Sequence, residues 1–248
     1  MSLICFCEIE TPVAYRLNKI LRRSGFSEKL DVLIESGGGD IDCAAKIVKM
    51  LKMNCNKLGV MIPFYAKSAA SLIALHADEL VMCKSGELGP IDPIVRDPAT
   101  KLWIPAHSIK EAINFIQETK DPLVKLSMAE KLPPLLLGAY RDSQNAARQY
   151  LQEALEKITD EENMDNCINA FSEKFISHGY PIDRETCKKL GLKNVIYPDE
   201  TLENKIHDLH ETYVDLMIDV LKTDDLLIIQ TDSQQCVVVD GEDISTSL

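Results

Sequence analysis

Two short stretches carry residue types that can do acyl-transfer chemistry. One is the run Gly37-Gly38-Gly39, which follows the apolar segment DVLIES at 31–36. The other is Ser68, set between the apolar runs GVMIPFYA at 59–66 and AASLIAL at 69–75. Glycines after a buried strand let the backbone approach a substrate closely, with N–H groups free to point at a carbonyl oxygen. A serine at a strand-to-helix turn presents its hydroxyl at a helix N-terminus, where free N–H groups and the macrodipole favour developing negative charge. Each feature also has a bland reading. Ser68 is equally a plain helix cap, and the glycines a plain turn. A phosphate loop is the other option for the glycines, but the GxxxxGK[ST] spacing is missing. Ser71 falls inside the helix and is the weaker nucleophile.

These residues need strands and helices to hold them. Leu3–Ile9 alternates as a first strand, and Thr11 or Pro12 opens a helix with Tyr15, Leu17, Ile20 and Leu21 on its apolar side. Asp31–Glu35 is a short buried strand. After the glycines, Ile41, Ala44, Ala45, Val48 and Leu51 recur at helical spacing behind Asp40 as N-cap. Leu58–Pro63 and Glu79–Cys83 read as strands, with Ala69–His76 as a buried helix between them. Strands alternating with helices predict an α/β fold with parallel strands and right-handed crossovers. From Ser108 onward the pattern is helical, over 108–118, 135–157 and 161–176, with a short helix from Asp183 to Gly191. A long helix spans 200–222, its apolar side formed by Ile206, Leu209, Tyr213, Leu216, Met217 and Val220. Two β-like runs, 226–230 and 236–239, then suggest a hairpin.

Composition narrows the classes. An apolar fraction of 46% over 248 residues supports a real core. A net charge of −12 argues against broad phosphate-backbone binding, so no nucleic-acid partner is expected. The eight cysteines contain no CxxC pair and sit mostly in apolar runs, which predicts free thiols in a reducing cytoplasm. Paired ligand spacings for zinc are missing, so no metal is expected. No GxGxxG follows a strand, and no cofactor is expected. The N-terminus lacks the basic region of a signal peptide, and no uncharged apolar stretch reaches the roughly 20 residues of a membrane span.

Taken in order, the segments SGGGDID, YAKSAASLIAL, ADELVM, LGPIDP, PAHSI and HGYPIDRETCKKLGL resemble the serine dehydrogenase proteinase family. That family belongs to the Clp-fold serine peptidases of the Clp/crotonase superfamily, and the likeness covers roughly 3–195. It implies a Clp/crotonase-like spiral of βαβ units with a helical C-terminal extension. On that division, 1–195 form the peptidase domain and 196–248 a C-terminal helix with a hairpin tail. It also implies Ser68 as nucleophile, with Gly38, Gly39 and the backbone of Ala69 as oxyanion hole. A homo-oligomer of trimer or hexamer type acting on a peptide or protein substrate is implied as well.

The resemblance departs at two places. Family members carry a glycine shortly after the nucleophile, whereas this chain has Ala69-Ala70. Clp-type subunits also place a histidine base roughly two dozen residues after the serine, where this chain reads GPIDP and offers Asp92. A carboxylate is a poor base for serine unless burial raises its pKa. His178, in the HGYPI segment, is the preferred candidate as base or substrate contact, Asp92 is the other catalytic candidate, and the sequence leaves the base open. His107 in PAHSI and Tyr65 are candidate substrate contacts. Lys67 directly precedes the serine and is expected to point the other way, although serine–lysine dyads exist in related peptidases; His76 is expected to cap its helix. The leading expectation is a serine hydrolase, a peptidase forming an acyl-enzyme at Ser68. The alternative is a non-catalytic crotonase-like scaffold that binds a peptide or protein. An acyl-thioester enzyme is the third option, without any signal for an adenine-nucleotide pocket.

Overall fold

The computed structural model describes residues 1–97, 100–175, 177, 179–223, 226–230, 235–239 and 242–243. Its N-terminal part alternates strand and helix: β1 (Ser2–Phe6), α1 (Thr11–Ser24), β2 (Ser27–Glu35), α2 (Ile41–Met53), β3 (Cys55–Ile62), β4 (Tyr65–Ala66), α3 (Ala69–Leu75) and β5 (Glu79–Met82). Short strands β6 (Glu87–Leu88), β7 (Ile94–Arg96) and β8 (Trp103–Pro105) lead into α4 (Ala106–Glu118), α5 (Pro122–Ala129), α6 (Pro134–Leu155) and α7 (Glu161–Ser172). Then come β9 (Ile182–Asp183), α8 (Arg184–Lys189), β10 (Val195–Ile196) and α9 (Glu200–Asp215). A π-helical segment, Leu216–Leu221, continues α9 before β11 (Leu226–Gln230), β12 (Gln235–Val239) and β13 (Glu242–Asp243).

The main sheet runs β10-β5-β3-β2-β1-β11-β12-β13. β1, β2, β3, β5 and β10 are mutually parallel, and β11 joins β1 antiparallel, Ser2 opposite Gln230. This is the parallel α/β fold that the strand–helix alternation predicts, in the form of the spiral of βαβ units with a helical C-terminal extension that the family resemblance implies.

Both faces of the parallel strands β1, β2, β3 and β5 are covered, which is why these strands are apolar on both sides. Along β1, Leu3 and Cys5 face the cluster formed with Leu17 and Leu21 of α1, Val48 of α2 and Leu72 of α3. Ile4 and Phe6 face the opposite cluster with Leu33, Cys83, Ile206 and Leu226, where α9 packs. Asp40 caps α2 as expected, its carboxylate accepting from the Cys43 N–H at 2.7 Å.

Several elements differ from the sequence pattern. Helix α5 had no periodic signal, because none of its residues is buried; it is set by Pro122 and by Asp121, whose carboxylate accepts from Leu123 and Val124 N–H. The short strands β4, β6, β9 and β10 have two residues each, too few to show alternation. Tyr15 is exposed rather than buried, since Ala14, Leu17, Ile20 and Leu21 already form the inward stripe of α1. Leu209 is likewise exposed, while Ile206 faces in. The long C-terminal helix changes to π geometry at Leu216, so one α-helical stripe does not describe its length.

Candidate active site

The glycine turn leaves the end of β2 and is stitched to the serine segment by backbone. Ser36 bridges Ala66 in parallel fashion: its N–H donates to Tyr65 O at 3.3 Å, and the Lys67 N–H donates to Ser36 O at 2.9 Å. On the other side, the Ile9 N–H donates to Gly38 O at 2.7 Å, and the Asp40 N–H to Ile9 O at 2.8 Å. The Ser36 hydroxyl donates to Cys7 O at 2.6 Å and accepts from the Gly38 N–H at 3.2 Å.

Gly38 has φ +109 and Gly39 φ +139, backbone that L side chains rarely adopt. A Cβ on Gly38 would stand 2.7 Å from Ser68 Cβ, 2.8 Å from Lys67 O and 3.2 Å from the Ala69 nitrogen. A Cβ on Gly39 would collide with Ile9 O. Only glycine lets the turn lie this close against Ser68. Among the described residues, neither the Gly39 nor the Ala69 N–H has an internal acceptor.

Ser68 is half-buried and N-terminal to α3, with φ 51 and ψ −120. Its hydroxyl makes no capping bond to the helix, so the plain N-cap role is not what it performs. Strained backbone of this kind costs about 1–3 kcal/mol and persists where the surroundings over-determine it. Those surroundings include Ser71, which is fully buried. Its hydroxyl donates to Ala66 O at 2.6 Å, lies 2.9 Å from Gly89 O, and accepts from the Gly89 N–H at 2.9 Å. Ser71 therefore fixes the start of α3 to the loop after β6.

Lys67 reaches toward β6. Its ammonium pairs with Glu87 and approaches Leu88 O at 3.3 Å, lying over Gly89. That holds β4 against β6, which pairs in turn with β9. His76 ends α3, with Nδ1 2.9 Å from Leu72 O, and burial lowers its pKa.

The other sequence candidates fall as follows. Asp92 is buried, and its Oδ2 lies 3.5 Å from the His107 backbone N–H at the start of α4. His107 itself is half-buried on the first turn of that helix. His178 lies outside the described residues. Tyr65 is half-buried beside Glu35, and burial, then the Glu35 charge and hydrogen bond, push its phenol above the ordinary range.

Sequence reasoning passed over a second group. A cavity of about 590 Å³ opens next to the glycine turn, with Glu35, Ser36, Gly37 and Tyr65 on one wall and Val214 and Met217 on the other. Glu35 also pairs with His210 of α9, whose ring meets Phe6 edge-on at 5.6 Å. Helix α9 is thus pinned across the cavity. The only sequence signal was Glu35 itself, a charge ending an apolar strand directly before the glycines.

A crossover α/β sheet thus carries a strained serine at a helix start, packed on a positive-φ glycine turn. The chain belongs to the family of ClpP-like SDH-type serine proteinases, which it matches over residues 4–224. Two uncharacterized proteins of Methanocaldococcus jannaschii are similar. MJ0137 is 28% identical over 195 residues, and MJ1495 is 29% identical over 188. These alignments cover 79% and 74% of this chain but 62% and 56% of those proteins, so the chain spans about three fifths of their length. Among solved structures, a mutant of the 1510-N membrane-bound stomatin-specific protease superposes with TM-score 0.50 at 13% identity, covering 80% of this chain and 79% of that one. ClpP1 from Listeria monocytogenes gives TM-score 0.47 at 15% identity, over 81% and 94% of the two chains. The fold is Clp/crotonase-like. Among the described residues, no helix is long and apolar enough to cross a membrane.

Proposed function

We propose that the protein is a serine peptidase that cleaves peptide or protein substrates through an acyl-enzyme at Ser68. The observation that carries this reading is the contact of Gly38 with Ser68 and the Ala69 nitrogen, at a serine held with φ 51. Ser68 Oγ attacks the scissile carbonyl while its proton passes to the base. The carbonyl oxygen turns toward the N–H groups of Gly39 and Ala69, and the Gly38 N–H exchanges Ser36 Oγ for it. Collapse expels the amine, protonated by the base, and water then releases the acyl group.

His178 is the proposed base. Asp92 is the second candidate, buried with its Oδ2 3.5 Å from the His107 backbone N–H. Tyr65 borders the cavity beside the glycine turn, where a substrate side chain fits, and His107 is the proposed second contact. The protein is proposed to act as a homo-oligomer of trimer or hexamer type in the cytoplasm. Exposed Phe115, Leu123, Leu126 and Leu135 on α4–α6 support assembly, and seven free buried cysteines among the described residues support a reducing compartment.

Fluorophosphonate labelling of wild type, Ser68→Ala and Ser71→Ala tests the reading. Labelling confined to chains that retain Ser68 supports it, and a pH profile lost in His178→Gln assigns the base. A folded wild type that never labels and cleaves no peptide library overturns it in favour of a binding scaffold.

A further inference from the structure

On the far face of the sheet from α1–α3, three ligand-type side chains converge without any part in the site above. β5 ends at Met82, and the next residue, Cys83, is fully buried. Helix α9 presents Glu203 and His207 on one face, four residues apart. The Cys83 sulfur, a Glu203 carboxylate oxygen and a His207 ring nitrogen all lie within 4.8 Å of one another. A tetrahedral zinc ion with bonds of about 2.0–2.3 Å needs donors roughly 3.3–3.8 Å apart, so small side-chain rotations bring this trio into range.

We propose that Cys83, Glu203 and His207 form a binding site for a zinc-class divalent ion, which ties α9 to the end of β5. One thiolate, one carboxylate and one neutral imidazole are the donor types such an ion prefers over magnesium or calcium. Their combined charge of about −2 cancels that of the ion, which suits a site packed among Phe6, Leu33 and Ile206. Binding forms the metal–sulfur bond as the thiol proton leaves to solvent. No electron is transferred. A fourth position is left for water.

The surroundings orient the carboxylate. The Lys84 backbone N–H donates to Glu203 Oε1 at 2.6 Å, the kind of outer contact that fixes a metal-bound carboxylate and leaves Oε2 for the ion. Two cations stand nearby. The Lys84 ammonium is 3.6 Å from Glu203 Oε2, but its side chain is 74% exposed and moves into water when an ion takes its place. Arg184 faces Cys83 and Glu203 while donating to Met82 O and lying over the Tyr197 ring. Without an ion, burial and then the Glu203 charge push the Cys83 thiol up to about 11, so the ion must displace a proton. Affinity therefore rises with pH.

Spacing arguments miss such a site, because Cys83 is far in sequence from Glu203 and the helix supplies only its second half. The experiment uses the full chain, stripped with a chelator and titrated with cobalt(II). One equivalent should bind, with a near-ultraviolet thiolate-to-cobalt band that zinc then bleaches, and zinc should raise the thermal midpoint. Cys83→Ser should lose the band. His207→Gln, at a half-buried position that the fold tolerates, should weaken cobalt binding at least tenfold while circular dichroism stays unchanged. A folded wild type that binds no cobalt at a tenfold excess overturns the proposal. So does a band that survives in both variants, which would belong to other cysteines. None of these readouts depends on peptidase activity.

Discussion

Gly38→Ala tests the core of the reasoning, with Gly37→Ala as its control. At Gly38 a methyl group meets two separate penalties. The backbone sits at φ +109, a conformation that costs a non-glycine residue about 1–3 kcal/mol. The added Cβ also meets Ser68 Cβ at 2.7 Å and Lys67 O at 2.8 Å, and neither is the end of a flexible chain. Overpacking of that kind costs another 1–3 kcal/mol or so, which gives roughly 2–6 kcal/mol in total. Relief by displacing Ser68 and the Ala69 nitrogen would misalign nucleophile and oxyanion donor together. Loss of one such donor lowers turnover about 10²–10³-fold. Gly37 has an ordinary φ and nothing within 4 Å of its added Cβ, so alanine there should leave stability within about 0.5 kcal/mol of wild type. Urea denaturation reads the stability, and the rate of fluorophosphonate labelling reads the site. Gly38→Ala with wild-type midpoint and labelling rate would refute the claim that this turn lies against Ser68.

Four further outcomes are expected. Ser68→Gly should abolish labelling yet stabilise the fold by roughly 1 kcal/mol, because glycine relieves the strain of φ 51; unchanged or reduced stability in thermal melts would contradict the strain argument. Ser71→Ala should keep the labelled serine but cost about 1–3 kcal/mol, since it strands the Gly89 N–H; denaturant titration decides. Phe171→Ala, at a fully buried ring, should cost about 3–5 kcal/mol in the same titration. Glu79 accepts hydrogen bonds first from Lys57 and then from Lys29, which hold its carboxyl below the usual value of 4.5. Its folded pKa is depressed, so its contribution is full above that value and is lost as pH falls through the folded pKa. Glu79→Gln should therefore flatten the acid limb of a stability-versus-pH curve below about pH 4.5 and leave its slope near neutrality unchanged.

The sequence made the parallel core legible because its strands are buried on both faces and its helices keep one apolar stripe. It made Ser68 and the glycines legible because positive φ and close approach leave a mark in residue type. What it hid was contact between distant segments. The Ser36 hydroxyl bridging to Cys7, the Lys67–Glu87 pair and the His210–Glu35 clamp each join ordinary-looking residues whose pairing no local pattern records. Helix α5 was hidden for a different reason: an element that buries nothing within its own chain shows no periodicity.

The pairing of β1 with β11 has a consequence for the making of the protein. The strand that starts the sheet must wait, edge open, until Gln230 has been synthesised to face Ser2. Helix α9, which closes the cavity beside the glycine turn, lies just before β11 and docks on the face that β11 completes. A growing chain at the ribosome thus carries Ser68 long before the roof above it is in place.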